Sequence, residues 1–70
     1  PPCTYRLQNL PIGDVAVYRN GQLQEPGTGN DYLVSGTPPT IEPLDHSPSD
    51  KFAVQYFCCL SMRVERWSCP

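Results

Sequence analysis

The sequence has few cations and no basic cluster. Its five lysine and arginine residues are scattered over 70 residues, and the formal net charge is −2. Binding to a phosphate backbone needs clustered cations that displace counterions. The charge distribution therefore argues against a nucleic-acid partner.

Long apolar runs are also missing. No stretch approaches the roughly 20 apolar residues that span a bilayer. We also find no signal peptide, which would combine a positively charged segment with an apolar segment that follows it. We therefore expect no membrane partner. The initial Pro1-Pro2 is consistent with either a trimmed initiator methionine or a cleaved precursor.

Helical periodicity is absent as well, because no window of a dozen residues has apolar side chains at helical spacing. Nine prolines and five glycines instead separate short runs rich in Val, Tyr, Phe and Leu. This pattern predicts an all-β fold, a small antiparallel β-sandwich or partly open barrel of six to seven short strands, with residues 1–70 as a single β domain. The core of so short a chain is small, so we expect a disulfide, a metal or a partner subunit to stabilise it.

The clearest turn signal is Asn20-Gly21, which directly follows a predicted strand at residues 14–19. Both residues tolerate the positive φ angles of a type I′ turn, so the pair predicts a β-hairpin with residues 22–24 as the return strand.

Strict alternation of apolar residues marks the last third of the chain, over residues 52–64. It predicts one long ribbon whose apolar side faces the core. Phe57 and Trp67 have the opposite parity, which would place them together on the outer side. A tryptophan beside an arginine is typical of an interface hot spot, so we predict an interface formed by Phe57, Arg66 and Trp67. In the alternative interpretation Trp67 packs against the domain's own core.

Four cysteines, Cys3, Cys58, Cys59 and Cys69, allow three pairings in an oxidising compartment. Adjacent residues on a strand point in opposite directions, which disfavours a bond between Cys58 and Cys59. We predict one bridge from Cys59 to either Cys3 or Cys69. The alternative is four reduced thiols, as expected in a reducing cytosol.

Residues with catalytic or metal-binding chemistry are isolated. The single histidine, His46, lies in a proline-flanked loop, and the cysteines lack the paired spacing of a zinc site. The carboxylates are scattered singly over turns and strand ends. We therefore predict no catalytic, cofactor-binding or metal residues, and expect the chain not to be an enzyme.

Three segments together form a recognisable pattern. Residues 15–23 are Val-Ala-Val-Tyr-Arg-Asn-Gly-Gln-Leu, and residues 30–36 are Asn-Asp-Tyr-Leu-Val-Ser-Gly. Residues 50–56 are Asp-Lys-Phe-Ala-Val-Gln-Tyr, and Ile41 lies between the second and third segments. This order resembles small β-modules of bacteriophage virion structural proteins. The chain departs from the pattern at Ser49, where such modules usually have glycine.

The resemblance implies an architectural function without catalysis. It suggests a capsid decoration or cement protein, or else a tail, neck or fibre adaptor module, that assembles in the host cytoplasm, forms a homo-oligomer and binds other virion proteins. Asp31 is expected to accept backbone N–H bonds in its turn, and Tyr32 to bury its ring. The four cysteines leave a second hypothesis open, a secreted, disulfide-stapled binder or inhibitor.

Overall fold

Seven strands form two antiparallel sheets in the computed structural model, which describes residues 3–69. The strands are β1 (Tyr5–Arg6), β2 (Ala16–Arg19), β3 (Gln22–Leu23), β4 (Tyr32–Ser35), β5 (Thr40–Pro43), β6 (Lys51–Cys58) and β7 (Ser61–Ser68). The small sheet has the order β1-β5-β4 and the large sheet the order β3-β2-β6-β7, and they do not close into a barrel. The all-β prediction is confirmed. Residues 3–69 include no helix long and apolar enough to cross a bilayer.

The core lies between the two sheets. Val17 and Val54 from the large sheet and Ile41 from the small sheet are completely buried, and Tyr56 is nearly so. They belong to one cluster that also contains Leu7, Tyr32 and Cys58. Alternation on β6 produces this arrangement, because its even-numbered residues are all buried on one side of the strand.

The Asn20-Gly21 turn forms as the sequence predicts. The φ angles are 51° at Asn20 and 84° at Gly21, and β2 pairs with β3 through Tyr18 opposite Leu23 and Arg19 opposite Gln22. The two positive φ angles match a type I′ turn, whose twist suits the flanking strands.

Replacing Gly21 with valine is expected to lower the free energy of unfolding by more than about 1 kcal/mol, since a β-branched residue at positive φ is strained. A Cβ at this position would meet nothing within 4 Å, so the loss reflects backbone strain alone. Urea unfolding of Gly21→Val measures it, and Gly21→Asn, which tolerates this region, should cost less. Equal stability of wild type and Gly21→Val would contradict this account.

The predicted ribbon over residues 52–64 is correct as far as Cys58 and wrong beyond it. The chain reverses at Cys59 and Leu60, whose φ angles are 56° and 73°, and β6 and β7 form a hairpin closed by Cys58 opposite Ser61. This reversal exchanges the parity, so odd-numbered residues of β7 lie on the same side of the hairpin as the buried even-numbered residues of β6, and of these Glu65 and Trp67 are partly buried. Leu60, Met62 and Val64 were expected in the core and are exposed instead.

Candidate interaction surface

The outer face of the large sheet carries four exposed apolar side chains, Leu23, Phe57, Met62 and Val64. One row across the strands consists of Leu23, Tyr18, Ala53 and Arg66; the next pairs Gln55 with Val64, and the last pairs Phe57 with Met62. Leu23 is 62% exposed and Met62 56%. We call this set the outer face.

Two of the three predicted interface residues lie on the outer face. Phe57 is 39% exposed, and Arg66 lies opposite Ala53. Trp67 does not share this face, because it pairs with Phe52 on the inner side of the hairpin. The predicted patch combining Phe57 with Trp67 is therefore wrong, and the interface role of Phe57 and Arg66 stays a prediction.

Trp67 is part of the interior. Its ring stacks on Tyr5 at a centroid distance of 4.7 Å and on Phe52 at 5.3 Å. It contacts both buried clusters, the main core and a smaller group of Cys3, Phe52 and Cys69. The alternative interpretation of Trp67, packing against its own core, is the one that the structure supports.

Beside Trp67, Glu65 connects the N-terminal segment to the hairpin. Its carboxylate accepts hydrogen bonds from the Tyr5 hydroxyl (2.6 Å), the Gln8 backbone N–H (3.1 Å) and the Tyr56 hydroxyl. Burial raises the pKa of Glu65, but these donors outweigh it and the net pKa is lowered. Burial together with the Glu65 contact raises the pKa of Tyr5 to about 12. The ionised carboxylate with both tyrosines protonated is therefore the stable state.

Asp50, which is buried, holds the loop before β6. It accepts hydrogen bonds from the Ser47 backbone N–H (2.8 Å) and the Asn20 side chain (3.0 Å), and it forms an ion pair with Arg19 (2.7 Å). Asn20 also accepts a bond from the Lys51 backbone N–H. The Ser47 and Asn20 bonds, with Arg19, lower the pKa of Asp50 to about 2. The Asn-Gly turn and Asp50, distant in sequence, thus belong to one polar cluster.

The Asp31 and Tyr32 expectations are confirmed. Asp31 accepts a bond from the Glu25 backbone N–H at 2.8 Å, and only 3% of Tyr32 is exposed. The Tyr32 backbone carbonyl accepts a further bond from Gly27. These contacts order the glycine-rich loop at residues 25–31.

The cysteine pairing differs from the prediction. Cys3 bonds to Cys69 and Cys58 bonds to Cys59, so Cys59 is not bridged to either end of the chain. Alternation was the reason for rejecting the vicinal pair, and it does not apply because Cys59 lies in the turn with positive φ. Such a backbone rotation redirects the side chain toward its neighbour.

His46 lies beside the Cys3–Cys69 pair. One ligand atom from each of Cys3, His46 and Cys69 lies within 4.8 Å of the other two. Sequence reasoning missed this cluster because spacing along the chain does not reveal it. Pairing of β6 with both β2 and β7 brings the loop at residues 44–50 next to the two ends of the described chain.

Comparisons of the chain with protein-family models, curated proteins and solved structures found no match. Within residues 3–69, the fold and surface define a small two-sheet β-module with exposed apolar side chains on one face and with β7 at the edge of the large sheet.

Proposed function

We propose that this chain is a non-enzymatic structural module of a bacteriophage particle, a capsid decoration or cement protein that associates with its own copies and with other virion subunits. The observation that carries the proposal is the exposed apolar outer face, at whose centre Val64 is 48% exposed. A small domain gains stability by covering such a face with another chain.

The contacts of the motif residues agree with a scaffold role. Asn20 and Asp50 join the β2–β3 turn to the start of β6, while Asp31 and Tyr32 order the loop before β4. Each stabilises a connection between strands. The residues of the pattern that resembles phage modules thus stabilise the fold, and the outer face remains available for binding.

The open edge of β7 indicates how copies would associate. Ile12 donates to the Phe57 carbonyl and Asn20 to the Lys51 carbonyl, so odd-numbered residues of β6 direct their backbone groups away from β7. Even-numbered residues of β6 therefore bond to the odd-numbered residues of β7. The N–H and C=O groups of Met62, Val64, Arg66 and Ser68 then point outward, as a template for another strand.

Charge favours one register for pairing two β7 strands antiparallel about a twofold axis, the one that places opposite charges across from each other. Centring on Glu65 or on Arg63 places like charges opposite each other, which is unfavourable. Centring on Val64 places Arg63 opposite Glu65 of the second copy, twice, and aligns outward backbone groups at Met62, Val64 and Arg66. We propose this register, which makes a continuous eight-stranded sheet from two four-stranded ones.

Replacing Val64 with proline is expected to weaken this pairing without unfolding the monomer. Proline removes an N–H that points outward, a change that edge strands tolerate. Two bonds across the twofold axis are lost, at about 1 kcal/mol each, so association should weaken at least about tenfold. Sedimentation velocity over a concentration series measures the change.

Val64→Thr keeps the N–H and is the matched control, which should associate like wild type. Arg63→Glu places a second acid opposite Glu65 of the other copy and should also weaken association. A monomeric wild type, or a Val64→Pro variant that still associates, would rule out pairing through β7.

Location on a particle is tested separately. An antibody raised against the purified chain should label the phage particles whose genome encodes the chain. Electron microscopy should show the label in a regular pattern of many copies. Particles that carry no label would contradict the virion proposal, whatever the result for β7.

The cysteine pairs favour a second candidate, a secreted binder or inhibitor stabilised by disulfides. All four cysteines lie close enough to pair, and stapling is common in secreted domains of this size. Intact mass before and after alkylation of freshly made protein separates the two functions. Four alkylated thiols favour the virion module, whereas two complete bridges favour the secreted binder.

A further inference from the structure

We propose that Cys3, Cys69 and His46 form a zinc site when the two cysteines are reduced. The site would hold Zn²⁺ through two thiolates and one imidazole, with the fourth position open to water. It is a property of the reduced chain, so it does not depend on binding to a particle or on pairing through β7.

The geometry suits this ion. One ligand atom from each residue lies within 4.8 Å of the other two. Tetrahedral zinc with bonds of about 2.3 Å to sulfur places two sulfurs about 3.8 Å apart. The Cα atoms of Cys3 and Cys69 are 5.2 Å apart, so rotation about the side-chain bonds is enough to separate the sulfurs once their bond is broken.

The surroundings also suit a zinc thiolate. Cys3 and Cys69 are 3% and 6% exposed and pack with Phe52 and Trp67, which shield them from water. His46 is only partly buried, so an ion has access from the loop side. The residues come from both ends of the described chain and from the loop before β6, which a metal would hold together as the disulfide does.

The exchange between the disulfide and the zinc-bound state conserves electrons and protons. A dithiol reductant donates two electrons and two protons to the Cys3–Cys69 bond, which becomes two thiols, and the reductant becomes a disulfide. Zinc binding then forms two Zn–S bonds and one Zn–N bond and releases the two thiol protons. In a reducing cytosol the metal would therefore replace the disulfide as the staple between the two ends.

Cobalt(II) is the probe, because tetrahedral cobalt thiolates absorb visible light. Titration of the fully reduced chain should give one cobalt per chain, with the absorption lost on adding Zn²⁺. Zinc should also raise the melting temperature of the reduced chain, because it binds the folded state. The oxidised chain should give neither signal.

Three variants locate the site. His46→Asn should weaken metal affinity more than about tenfold, since loss of an outer-shell partner alone costs that much, and should leave the melting temperature of the oxidised chain unchanged. Cys69→Ser should also lose binding. Cys59→Ser is the matched control, because it removes a cysteine of the vicinal pair and should bind cobalt like wild type.

The proposal is overturned if the reduced chain binds no metal, or if His46→Asn binds it as tightly as wild type. Loss of binding in Cys59→Ser would also overturn it, because the vicinal thiols would then be the ligands.

Discussion

Trp67→Ala is expected to destabilise the monomer by about 3 kcal/mol. This value is toward the lower end of the range for deleting a large aromatic side chain, because Trp67 is only partly buried. The substitution removes the ring that lies between Tyr5 and Phe52. It also opens a cavity where the main core meets the small cluster around the Cys3–Cys69 pair. Chemical unfolding followed by circular dichroism measures the loss.

Trp67→Phe is the matched control. Phenylalanine keeps an aromatic ring between Tyr5 and Phe52 and removes the indole N–H, which is buried and finds no acceptor among residues 3–69. An unpaired buried donor is unfavourable, so Trp67→Phe should cost much less than Trp67→Ala. Full stability of Trp67→Ala together with lost association would instead restore the interface interpretation that the sequence suggested.

Local signals in the sequence predict a large part of the fold. The Asn20-Gly21 turn requires only that two adjacent residues tolerate positive φ, and Asp31 bonds to a loop nearby in sequence. Alternation likewise places Phe52, Val54 and Tyr56 correctly in the core. These features depend on short stretches of chain, which a sequence displays directly.

The second hairpin was missed because its turn carries the wrong residues for its geometry. Cys59 and Leu60 both adopt positive φ, although neither is glycine, asparagine or aspartate, and alternation continues unbroken through them. One undetected reversal exchanges the faces of every later residue. The errors at Met62, Val64 and Trp67 all follow from that one turn.

The site beside His46 is beyond sequence reasoning for a different reason. Cys3 and Cys69 are 66 residues apart, and His46 belongs to a loop between them. Only the pairing of β6 with two neighbours brings the three together. Likewise, nothing near Asp50 in the sequence indicates that Arg19 and Asn20 would hold it.

The second large effect is a loss of folding stability in acid, which depends on the Asp50 carboxylate. Its folded pKa of about 2 lies below the value of about 3.9 for an unfolded aspartate. The unfolded state therefore binds more protons between these values, and stability falls as pH falls through that window. The contribution is complete above about pH 5 and is lost below about pH 2. Glu65, whose pKa is also lowered, adds to the same slope.

Asp50→Asn is expected to lower the melting temperature at pH 7 by several degrees, because a neutral amide cannot pair with Arg19 or accept at both oxygens. The variant should also lose part of the acid dependence, so the difference from wild type should shrink between pH 5 and pH 2. Thermal unfolding at a series of pH values measures both effects. Glu42→Gln, on the exposed side of β5, is the control and should follow wild type throughout. If Asp50→Asn keeps a constant difference from wild type across this range, the carboxylate of Asp50 is not the group that acid titrates.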